Sequence, residues 1–244
     1  MTAPLDRVHV PAAPNLYNIG MANRGYWSVW SLDFSAATML DEFEQVLRTI
    51  PFSAKAPGCT GLAVRAIDPR ESPLVEMDAS SQPLSPEEYI AVVREYLHSD
   101  CAFEALAAWD VWTFDPADLR WRLAPQPLEL FCHGPDYGNG VWREAGHFQA
   151  DIGFEHLFTG HARMLGPHPV PAGPPQDIVE ARFRTLMSGT EKLREYHEKT
   201  RENIQKLLNW LRAIEKAIPA ERYHLWSEGE ENFEARLDEI LAMR

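Results

Sequence analysis

The 244-residue chain is 45% hydrophobic and 11% aromatic, holds 8 tryptophans and carries a net charge of -13, enough apolar material for a packed core and too much for disorder to be the default. No apolar run approaches about 18 residues, so no membrane-spanning helix is expected. Residues 1–175 contain 11 Lys and Arg, with Lys55 the single lysine, against 22 Asp and Glu; without a basic stripe to displace counterions, nucleic acid is excluded as a partner.

The opening "MTAPLDRVHVPAAPN" lacks an apolar stretch after a basic cluster, so it does not read as a secretory signal. Residues 1–24 are expected to form an N-terminal arm. "GYWSVWSLDF" (25–34) is rich in aromatic and β-branched residues and predicts a strand. Met39, Leu40, Phe43, Val46, Leu47 and Ile50 then recur at helical spacing, with Ser35 available as a cap and Pro51 as a stop. "TGLAVRAID" and "PLVEMDA", split by "PRES", predict a hairpin. "SPEEYIAVVREYLHS" carries Ser85 before Pro86 and Glu88, the signature of a helix start.

A strand over 103–114 follows, apolar on both faces, which requires cover on both. Two helices are expected to cover one face, leaving the other for the C-terminal tail. The order β-α-β-β-α-β suits a ferredoxin-like start to the sheet. Three further strands, 119–124, 127–133 and 147–158, are expected to extend it. The expected fold is therefore α+β, with a mixed, mainly antiparallel sheet and a C-terminal helical segment. Its domain limits are 25–165 for the α+β unit, 166–176 for a Pro/Gly-rich linker and 177–244 for the helical tail.

Within the tail, helices are expected near 177–187, 190–218 and 229–243. The middle one has an apolar seam of Leu193, Tyr196, Thr200, Ile204, Leu207, Leu211, Ile214 and Ile218. Glu195 with Lys199 and Glu202 with Lys206 are spaced for i,i+4 pairing on the wet side. At about 1.5 Å per residue this helix would overhang a small sheet, so it packs either on the sheet or on a second copy, giving a homodimer through 190–218.

The stretch "GHFQADIGFEHLFTGH" (146–161) concentrates histidines and carboxylates. Read as a strand, it separates His147 from Asp151, and Asp151 from Glu155, by about 13 Å, too far to share a metal. His156 falls among phenylalanines and reads as a core residue; it meets His161 only if the chain turns at Thr159-Gly160. Pairing of 127–133 with 147–158 changes this, because it sets His133 opposite His147 at the base of the loop 134–146, with Cβ atoms about 5 Å apart. A loop of that length is often functional.

The candidate ligand-binding residues are therefore His133, Tyr137, Trp142, Arg143, His147 and Asp151. The candidate metal ligands are His133, His147 and Asp136, holding zinc or another divalent metal, with Glu144 or Asp151 as further carboxylates.

No phosphate-binding, dinucleotide-binding or nucleophile-elbow glycine motif is present. The cysteines, Cys59, Cys101 and Cys132, are odd in number and lack C-x-x-C spacing, so reduced thiols and a cytoplasmic location are expected. The leading expectation is a non-catalytic module that binds a small molecule or a protein and has no cofactor. The first alternative is a metal-assisted hydrolase or lyase using His133 and His147. The second is an acidic inhibitor of a basic protein.

Overall fold

The computed structural model describes residues 23–115, 118–161, 164–165, 174–175 and 178–243. The expected arm and linker fall mostly outside these residues. Seven strands form one antiparallel sheet: β1 (Arg24–Ser31), β2 (Gly61–Ala66), β3 (Val75–Asp78), β4 (Cys101–Asp115), β5 (Arg120–His133), β6 (Phe148–Phe154) and β7 (Ala220–Ser227). Their order across the sheet is β3-β2-β4-β5-β6-β1-β7. The helices are α1 (Met39–Arg48), α2 (Pro86–Val93), α3 (Trp142–Ala145), α4 (His156–Thr159), α5 (Ile178–Met187), α6 (Thr190–Ala217) and α7 (Phe233–Ala242). Among the described residues no helix is long and apolar enough to cross a membrane.

The chain order of the first six elements is the expected one, but the ferredoxin-like arrangement is not adopted. β1 lies between β6 and β7, separated from β2 by three strands. Periodicity identifies a strand; it does not choose the strand's neighbour. The choice here follows the long β4–β5 hairpin, paired from Ala102 with His133 to Asp115 with Arg120. That ladder occupies the centre, and β6 and β1 stack outward from it.

β5 is one strand where two were expected, at 119–124 and 127–133. Pro125 and Pro127 lie within it, opposite Asp110 and Ala108. β6 pairs only with Glu129–Cys132, so around the prolines β5 is an edge strand, where a missing N–H breaks no ladder bond.

Four helices share one face of the sheet. The β4 residues pointing there, Phe103, Ala105, Ala107, Trp109 and Val111, are buried. From α1, Phe43 stacks on Phe148 of β6 and meets Tyr89 of α2 edge-on. α2 starts with the expected capping box, Ser85 and Glu88 each bonding the other's main chain. From α6, Trp210 sits 5.6 Å from Trp109 and donates its indole N–H to Thr49 Oγ1 at 3.0 Å. α7 buries Phe233, Leu237 and Ile240.

The second half of α6 therefore lies on the same face as α1 and α2, which the tail was not expected to cover, while Phe183 of α5 and Tyr196 of α6 pack on Phe114 and Trp121 of the opposite face, so the tail covers that face at the tip of the β4–β5 hairpin. The seam of α6 is buried within the chain at Tyr196, Thr200, Ile204, Leu207, Leu211 and Ile214, the residues offered for pairing with a second copy. The wet side pairs differently from expectation: Lys199 reaches Glu202 at 2.8 Å, and Lys206 donates to the Asp110 carbonyl at 2.6 Å. Pro219 follows α6, and the chain re-enters the sheet as β7, paired with β1 from Gly25–Ser227 to Ser31–Ala220. This strand was not anticipated, because "AERYHLWS" is short and polar and lies between two helical patterns.

Candidate functional site

β5 and β6 pair in the register that places His133 opposite His147. Cys132 is opposite Phe148, and the His133 N–H donates to the His147 carbonyl at 2.8 Å. Both residues are buried, 6% and 8% exposed. Their rings go to different partners. His133 Nδ1 lies 2.9 Å from the Gly146 carbonyl, an acceptor only, so this nitrogen carries the proton. Tyr137 and Phe131 stack against the His133 ring at 6.2 and 6.1 Å. His147 Nδ1 accepts from the Ser31 N–H at 3.0 Å, which fixes the opposite tautomer. The ring is held between Phe34, 4.1 Å away and nearly parallel, and Trp142 at 4.6 Å. Burial holds the pKa of both below the ordinary histidine value, His147 at about 4, with His133 nearby as a second cause.

The loop 134–146 folds onto this pair. The Gly134 and Asp136 N–H groups donate to the Cys101 and Ser99 carbonyls, each at 2.9 Å, and Trp142 Nε1 donates to the Pro135 carbonyl at 3.0 Å. Gly146 closes the loop at φ 90, where a Cβ would lie 2.9 Å from the Val29 main chain. Only glycine meets both the left-handed backbone and that approach. His133, Tyr137, Trp142 and His147 are thus brought together as a stacked cluster. Arg143 lies 5.6 Å from the Trp142 ring and is exposed, as is Asp136. Among the described residues no group of three or more His, Cys, Asp and Glu is placed to hold a metal ion, so His133, His147 and Asp136 do not form the expected ligand set.

Asp151 lies elsewhere on β6, buried and paired with the Arg24 guanidinium, and its Oδ1 accepts from the Gly153 N–H at 2.9 Å. It belongs to the sheet face opposite the four helices. One row of directly opposed residues there is Leu106, Glu129, Asp151, Tyr26 and Trp226. The next row is Ala63, Glu104, Phe131, Gln149, Ser28 and His224. Tyr26 and Trp226 stack at 4.4 Å, and the Tyr26 hydroxyl donates to Glu228 at 3.1 Å. Leu106 is 36% exposed.

Burial raises the pKa of Glu129, with the Asp151 charge adding, and that of Glu104, with Glu129 adding. Burial also moves the Tyr26 phenol up to about 12. Three carboxylates are thus held in a half-buried aromatic setting, with Arg24 paired to Asp151 and Arg65 4.0 Å from Glu104. The alternation of this face along β4 was legible in the sequence; the convergence of Glu104, Glu129 and Asp151 was not, since it depends on two ladders, β4 with β5 and β5 with β6.

A second histidine pair lies at the far end of β6. That strand stops at Phe154, and His156–Thr159 form α4 rather than continuing a strand to 158. Gly160, at φ 79, turns the chain, and the rings of His156 and His161 come to 4.4 Å. Tyr196 of α6 accepts from the His161 main-chain N–H at 2.7 Å and lies 2.8 Å from its Nδ1. Burial depresses both histidines, His161 to about 4.

No family model, no curated protein and no solved structure matches this chain.

Proposed function

We propose that this protein is a non-catalytic binding module whose receptor surface is the sheet face opposite the helices, walled at one end by the loop 134–146. The observation that carries the reading is the juxtaposition of Glu104, Glu129 and Asp151 with Phe131, Tyr26 and Trp226 on the part of that face where Leu106 is exposed, away from the tip of the β4–β5 hairpin where Phe183 and Tyr196 pack on Phe114 and Trp121. A face that only meets water is normally paved with fully solvated charge. Here carboxylates are partly desolvated beside flat rings, which suits a ligand with an apolar body and hydrogen-bond donors. His133, Tyr137, Trp142 and His147 brace the wall, and Arg143 on its outside is free to reach a ligand's rim. The fixed tautomers and low pKa of the two histidines favour a rigid support over proton transfer near neutrality.

The test is a thermal-shift screen of a small-molecule library against the full chain, with each hit repeated on Phe131→Ala and Glu129→Gln. The reading expects hits whose stabilisation falls in both variants. Hits indifferent to both substitutions would overturn it.

A further inference from the structure

We propose that the outer edge of β7, with the cleft beside it, docks an extended, lysine- or arginine-bearing segment of another protein. β7 is the last strand of the sheet; among the described residues it pairs with β1 alone. An edge strand presents unpaired main-chain donors and acceptors on its outer side, a template for one more strand. Beside it, on the helical face, a cleft of about 230 Å³ opens between α6 and α7. Trp27, Leu211, Leu225 and Leu237 form its apolar floor, and Glu215, Glu234 and Asp238 stand on its rim with Arg212 as the one cation among the described lining residues.

The two features act on the same ligand. A residue of an added strand set opposite Leu225 projects to the same face as Leu225, with its Cβ about 5 Å away. Its side chain is therefore directed at the cleft, and residues two positions to either side pass the acidic rim. An apolar residue flanked at alternate positions by lysine or arginine meets both the floor and the rim.

Charge selects the occupant. A second copy of this chain would bring its own acidic rim and a net charge of -13. A basic partner gains from both the rim and the overall field. This site is separate from the receptor face proposed above and does not depend on it.

The experiment uses the full, isotope-labelled chain and two synthetic peptides, each alternating a charged residue with valine around a central phenylalanine. One peptide carries lysine and the other glutamate. The lysine peptide is expected to move the main-chain amide signals of residues 220–227 and 233–238 saturably, with binding weakened about fivefold or more in Glu234→Lys/Asp238→Lys and again on raising salt from about 0.05 to 0.3 M. Both substituted residues are exposed on α7, so the double variant is expected to fold.

The proposal is overturned by no movement of these signals up to about 1 mM peptide, by equal binding of the glutamate peptide, or by binding indifferent to the double substitution. It is also overturned if the same signals move with protein concentration alone, which would make the occupant a second copy.

Discussion

Asn203, buried on α6, holds the main chain of Trp112 in both directions: its Oδ1 accepts from the Trp112 N–H at 2.7 Å and its Nδ2 donates to the Trp112 carbonyl at 2.9 Å. The same Nδ2 lies 3.0 Å from the Leu157 carbonyl. One amide thus joins the long helix, the far half of β4 and α4, where no strand ladder does so. Asn203→Ala strands main-chain polar groups in a buried setting and is expected to cost about 2 to 4 kcal/mol. Chemical denaturation measures it; a loss below about 1 kcal/mol would mean that water replaces the amide there.

Gly146, just before β6, and Gly153, near its end, separate backbone strain from collision. Gly146 and Gly153 both have positive φ, 90 and 96. A Cβ on Gly153 would meet only the Pro127 carbonyl at 3.7 Å, whereas one on Gly146 would lie 2.9 Å from the Val29 main chain. Gly153→Ala is therefore expected to cost about 1 to 2 kcal/mol from the backbone alone, and Gly146→Ala clearly more. Equal thermal shifts for the two variants would contradict the close seating of the loop on β1.

Acid weakens this fold through its histidines. Burial depresses His133, His147, His156 and His161, two of them to about 4, while in the unfolded chain each returns to about 6.5. As pH falls from about 6.5 toward 4, the unfolded state takes up protons that the folded state refuses, and stability drops by about 1.4 kcal/mol per pH unit for each proton not compensated. Glu104 and Glu129, raised by burial, oppose this, because the folded state keeps their protons to higher pH than the unfolded state does. Four groups against two give a net loss. Urea midpoints should fall from about pH 7 to pH 5, and more gently in His147→Phe; a flat or rising midpoint would refute the assignment.

Glu129 stands directly opposite Asp151 on the neighbouring strand, a like-charge pair relieved only in part by Arg24. Glu129→Gln removes the repulsion and is expected to raise stability near neutral pH by up to about 1 kcal/mol. A loss of stability instead would mean that the carboxylate is held by a partner worth more than the repulsion costs.

Zinc is expected to find no stoichiometric site at the loop. His133 Nδ1 donates to Gly146 and His147 Nδ1 accepts from Ser31, so each ring has one nitrogen left, and among the described residues no third ligand converges with them. Equilibrium dialysis decides it: one tightly held metal per chain, lost in His147→Ala, would revive the metal-assisted reading.

Several features were written locally. Spacing marked α1, the capping box of α2 and the seam of α6, since a helix is a property of residues three and four apart. The opposition of His133 and His147 followed from the hairpin joining β5 to β6. The apolar character of both faces of β4 was also visible in the sequence, but not its use: four helices share one face, while on the other the tail covers Trp112 and Phe114 and leaves Leu106 exposed to solvent.

What the amino-acid sequence by itself determined was the kind of the elements from β1 to β4 and of the helices α5 to α7, and the apolar seam that α6 buries. The tertiary structure alone decided which strands are neighbours, that β7 joins them, that Tyr137 and Trp142 occupy the histidine rings, and that three distant carboxylates meet on one surface. The reason is physical: periodicity is set by bonds between residues close in the chain, whereas neighbours across a sheet are chosen by packing among residues as much as 204 apart, as Arg24 and Glu228 are.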